Sequence, residues 1–213
     1  MRMAAPCLIA LTVSVSPAMA ADPPTGGLEV GGNFNKTSFS GPDATGFSSG
    51  FKPGLMVGGF FSLPVAPMVA IQPEVVYAQK HSSVTGSQNG FTAIAKIDFV
   101  EIPVLAKFVL SATKTPRFYV VVGPGFSFTT RAKQIDQKVG IETFPDEDLK
   151  AEGKVRHSDV GIIAGAGVMI GRVGIEGRYD ADLRSLNSGN NAATLHVKER
   201  TATILVRWSF RKG

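Results

Sequence analysis

Few residues of this chain could do chemistry, and most chemical readings of them fail on spacing. His157-Ser158-Asp159 holds the three residue types of a hydrolytic triad. Adjacent residues on an extended chain point to opposite sides, so these three cannot form a triad among themselves. The other histidines, His81 and His196, fall with His157 in segments read as loops. Gly165-Ala166-Gly167 with Gly171 approaches a dinucleotide-binding loop, but such a loop must lead into a helix. The next residues, Val173 to Tyr179, alternate as a strand instead. The acidic run Asp146-Glu147-Asp148 lacks the spacing of a calcium loop and reads as a solvated tip. No catalytic set, metal set or cofactor emerges. What remains is a group of charges embedded in apolar alternation: Glu74, Glu101, Lys107, Glu176, Arg178, Asp180 and Arg207. Charges on one face of an enclosed sheet can pair as a structural plug or form an ion path; the plug is the expectation.

The elements that must position these charges are strands. Gly is abundant at 24 and Phe at 14, and helical periodicity is scarce. Period-two alternation marks eight strands with one apolar face: Leu28 to Asn35, Lys52 to Ser62, Val69 to Lys80, Phe99 to Val109, Arg117 to Thr130, Ser158 to Ile170, Val173 to Asp182 and Thr201 to Phe210. The connections alternate in length. Long ones are Thr37 to Phe51, His81 to Asp98, the 27 residues Arg131 to His157, and Leu183 to Glu199. Short ones are Leu63 to Met68, Ser111 to Pro116, and Gly171-Arg172. Outer-membrane barrels alternate this way, with short periplasmic turns and longer outside loops. The predicted fold is an all-β, eight-stranded antiparallel up-and-down transmembrane β-barrel.

Alternation alone does not choose between a membrane barrel and a soluble, lipocalin-like one whose apolar face turns inward. Three features decide. The polar face is rich in glycine (Gly54, Gly58, Gly123, Gly125, Gly161, Gly165, Gly167, Gly174), as a narrow lumen needs. Its charges are few and nearly balanced. Aromatics gather toward strand ends, among them Phe34, Phe61, Tyr77, Phe99, Phe128, Tyr179 and Trp208, where interfacial girdles lie. Lys96 and Asp98 break the parity and are assigned to the rim or to a bulge.

The first twenty residues read as a secretory signal. Arg2 is their one charge, Ala4 to Val15 is apolar, and Ala18-Met19-Ala20 is a small-x-small cleavage site. The barrel domain then occupies 21–213. Cys7, the single cysteine, falls inside the leader, so disulfides and cysteine metal sites are excluded from the mature chain. The net charge is +5, or +4 without Arg2. Basic residues are interspersed with acids and do not interleave with aromatics, so nucleic acid is not an expected partner.

Gln72-Pro73-Glu74 with Tyr77, then Glu101-Ile102-Pro103-Val104-Leu105-x-Lys107, then Gly123-Pro124, then Glu176-x-Arg178-Tyr179 together resemble the PorT-like outer-membrane β-barrel family, over about Gly26 to Phe210. The resemblance implies an eight-stranded barrel in the bacterial outer membrane and no single activity; some members are linked to protein secretion. The expected partners are outer-membrane lipid, the barrel assembly machinery, and a protein or glycan at the outside loops. The expected role is non-enzymatic: structural, or surface interaction through loops on a plugged barrel. The rival readings are an accessory role in secretion, a lipid A-modifying enzyme and a soluble ligand-binding barrel.

Overall fold

The computed structural model describes residues 23–41, 46–86, 90–110, 115–140, 142–152, 155–183 and 196–211; the side chains of Phe47 and His196 are excluded. The leader predicted over 1–20 lies outside these residues, as does most of the turn predicted at Ser111 to Pro116. Ten strands are described: β1 Thr25–Ser40, β2 Phe47–Ala66, β3 Val69–Gly86, β4 Phe91–Val109, β5 Arg117–Val139, β6 Glu142–Thr143, β7 Glu147–Asp148, β8 Ser158–Ile170, β9 Val173–Asp182 and β10 His196–Ser209. Eight of them run antiparallel in the order β4-β3-β2-β1-β10-β9-β8-β5, and β4 pairs with β5 to close the ring. The short β6 and β7 pair with β5 outside that ring.

Closure gives each of the eight strands a paired neighbour on both sides, which is what a sheet needs in a medium that offers no hydrogen bonds. Parity then decides what each side chain meets. Val206 is 49% exposed and its neighbour Arg207 1%. The same contrast separates Leu28 from Glu29, Val75 from Glu74 and Ile175 from Glu176. A continuous outer wall of exposed Leu, Val, Ile and Phe fits hydrocarbon, not water.

The glycines of the inner face make room for particular neighbours. A Cβ on Gly167 would meet the Tyr119 ring, one on Gly165 the Arg178 side chain, and one on Gly125 the Ile163 side chain. The two-residue turn between β8 and β9 carries Gly171 at φ +65°, a conformation that favours glycine.

Several expectations need correction. The upper strands run past the predicted ends: β1 to Ser40, β3 to Gly86, β4 from Phe91 and β5 to Val139. Of the segments read as long loops, His81 to Asp98 is thus mostly strand, and the described parts of the other three begin or end in strand. Above the lipid neither face must be apolar, so the ladder continues without the alternation that marks it in sequence. His81 therefore lies in β3, and His196 begins β10. Phe99 is no girdle residue: it is 2% exposed and points inward with Ile97, Ala132 and Val155. The bulge expected near Lys96 and Asp98 is present. Asp98 pairs with Arg131 and Phe99 with Thr129, which leaves Thr130 extra on β5. Asp98 stays on the outer side at the rim, where the Tyr77 hydroxyl donates to it at 3.0 Å.

Candidate functional site

The inner face of five strands converges on one ionic cluster. Arg178 on β9 and Arg207 on β10 face Glu29 on β1, Glu74 on β3 and Glu176 on β9. Arg178 grips Glu74 with two bonds, Nη1 to Oε2 at 2.6 Å and Nη2 to Oε1 at 2.7 Å. Its Nε donates to Glu176. Arg207 donates to Glu176 at 2.5 Å and to Glu74 at 3.1 Å. The Tyr119 hydroxyl and the Gln72 amide complete the set, donating at 2.7 Å to Glu176 and to Glu74. Glu29 is held by charge alone: its Oε2 is 3.2 Å from Arg207 Nε and 3.5 Å from Arg178 Nη2, and neither oxygen has a hydrogen-bond partner. Paired, bidentate geometry offsets the cost of removing such ions from water; removing one partner would expose it.

A second cluster lies nearer the long-loop end. Lys80 on β3 bridges Glu101 on β4 at 2.7 Å and Asp180 on β9 at 3.0 Å. Asn35 and Thr201 bond to one another across β1 and β10, and Asn35 donates to Glu199 at 3.2 Å. A cavity of about 20 Å³ lies between the two clusters, lined by residues of both.

Above Lys80 the lumen ends in an apolar cap. Val155 and Leu149, from the segment after β5, pack on Ile97, Phe99 and Ala132. The segment is tied down where β5 bulges: Lys150 Nζ donates to the carbonyls of Thr129 at 2.8 Å and Thr130 at 3.0 Å. Asp148 accepts from the backbone amides of Ala151 at 3.0 Å and Lys150 at 3.1 Å, and these bonds hold its carboxyl below the usual range. The acidic run read as a solvated tip is exposed at Asp146 and Asp148, and Asp148 also accepts these two local bonds.

Of the seven charges singled out in sequence, Glu74, Glu176, Arg178 and Arg207 meet in the first cluster, and Glu101 and Asp180 in the second. Lys107 joins neither; its ammonium stands 4.1 Å above the Tyr119 ring. Glu29 and Lys80 complete the two clusters and are not among those seven. Their signal was present, since each is a charge on the polar parity. His157 and Ser158 are exposed while Asp159 is buried, so the three do not converge. Among the described residues no group of His, Cys, Asp and Glu could hold a metal.

This barrel defines a class, the integral β-barrel proteins of the bacterial outer membrane. The match of residues 26–188 to the outer membrane protein beta-barrel domain places the chain in that family. No curated protein matches it. Similar solved structures include Ail of Yersinia pestis in complex with the heparin analogue sucrose octasulfate (12% identity, 87% of this chain and 99% of that one, TM-score 0.41). Others are OprG of Pseudomonas aeruginosa (13%, 88% and 94%, 0.49) and AlkL in DMPC bilayers (13%, 94% and 97%, 0.36).

Proposed function

We propose that this protein is a non-enzymatic outer-membrane barrel with a sealed lumen, a rigid scaffold that carries an interaction surface outside the cell. The observation that carries this reading is the cross-axis cluster of Arg178 and Arg207 with three glutamates. Eight strands leave an interior that side chains can fill, and here bonded ions fill it below an apolar cap. Planar-bilayer recordings of the purified protein test the reading: baseline conductance is expected, and a stable, large conductance would overturn it.

The interaction surface has its own support. Just beyond Phe34, Lys36 on β1 sits directly opposite Arg200 on β10, and Lys198 opposite Ser38. The three cations are exposed on the outer wall. Like charges directly opposed in a sheet repel, and an anionic glycan at the cell surface would relieve that repulsion. Heparin serves as the probe. Salt-sensitive binding that disappears in Lys36→Gln/Lys198→Gln/Arg200→Gln supports the surface role, and binding unchanged in that variant contradicts it. The PorT-like grouping and export through a 1–20 leader belong to the same proposal. N-terminal sequencing of the membrane-fraction protein should begin at Ala21.

A further inference from the structure

The short-turn end of the barrel, the periplasmic end in this family of folds, holds a cavity of about 110 Å³, room for several water molecules. Its composition is one-sided. Lys107, Arg117, Arg207 and Arg211 line it, and no carboxylate does among the described residues. The rest of the wall is mostly apolar, with Phe60 and Met169 inside and Met68 at the exposed mouth.

The cations are not equivalent. Arg207 is turned away, bonded to Glu74 and Glu176 and stacked 4.0 Å from the Phe60 ring centroid. Lys107 has the Tyr119 ring and, among the described residues, no carboxylate within ion-pairing distance. Lys107 is half-buried beside a cavity that opens at its mouth, and the cavity is large enough to admit a counter-ion.

We infer that this cavity is a binding site for a small amphiphilic carboxylate of the fatty-acid class, its head on Lys107 and Arg117 and its chain against Phe60 and Met169. The single charge matches the unpaired lysine, and the apolar wall favours a chain over a bare inorganic anion. The site is separate from the outer surface and does not rest on the role proposed for it.

Methionine-methyl NMR of the folded protein in phosphatidylcholine nanodiscs tests this. Beyond the leader the chain has three methionines. Met68 and Met169 line the cavity, while Met56 is buried with Val76, Ala78 and Leu205 outside it. Octanoate should shift the Met68 and Met169 signals saturably and leave Met56 unmoved. Lys107→Gln should weaken the apparent affinity at least fivefold. If that variant does not fold, 1-octanol and inorganic phosphate on the wild-type protein decide, and each should bind at least fivefold more weakly than octanoate. Absence of saturation, equal movement of Met56, unchanged affinity in a folded Lys107→Gln, or equal binding of octanol or phosphate would each overturn the assignment.

Discussion

Arg178 on β9 and Glu74 on β3, 104 residues apart in sequence, form a bidentate ion pair at 2.6 and 2.7 Å across the barrel interior. Neither strand neighbours the other in the sheet. The pair therefore ties together opposite parts of the wall that backbone hydrogen bonds connect only through intervening strands. Glu176 binds both arginines, so the two pairs behave as one unit.

Removing one member of this unit strands its partners without water. Glu176→Ala and Arg207→Ala are expected to destabilise the folded barrel by about 3–5 kcal/mol, with conductance still at baseline. Glu29→Gln should cost clearly less, because Glu29 has no hydrogen bond to lose. Urea unfolding in lipid vesicles ranks the three. A Glu29 variant as unstable as the Glu176 variant would contradict the bonding described.

Glycine positions divide by what surrounds them. A Cβ on Gly123 would collide with the Val104 carbonyl oxygen, and one on Gly31 with the Ile204 carbonyl oxygen, both backbone atoms that cannot swing away. Gly177 has nothing within 4 Å. Gly123→Val should abolish the heat-modifiable folded band on gels of unboiled samples, whereas Gly177→Ala should leave it intact.

The outer wall is specified by lipid. Val206→Arg, at mid-wall, should lower stability by about 2–4 kcal/mol. Lys198→Glu, above the aromatic ring, should change it by well under about 1 kcal/mol. Equal effects at the two positions would mean that the strand centres do not face hydrocarbon.

Asp148 gives the cap a dependence on acid. Its native carboxyl titrates below its ordinary value because the Ala151 and Lys150 amides donate to it. A lowered native value stabilises the segment fully above the ordinary carboxylate range, and the contribution fades as pH falls through the native value. Hydrogen exchange should show the Ala151 amide losing protection on acidification. In Asp148→Asn the acid dependence should be absent.

Much of this was legible along the chain. β8 and β9 begin and end where alternation places them, because their turn is two residues long and lipid begins at once on either side. Parity alone put Glu74, Glu176, Arg178 and Arg207 on one face, since lipid and lumen impose opposite demands on successive residues. What parity could not supply was partner choice. Whether Lys80 meets Glu101 and Asp180, why Lys107 stands apart over Tyr119, and how Leu149 and Val155 close the mouth all depend on strand stagger and on how a returning segment packs. Those are long-range geometric facts with no local signature. Local chemistry thus determined which way each residue faces; only closure of the ring decided which residues meet.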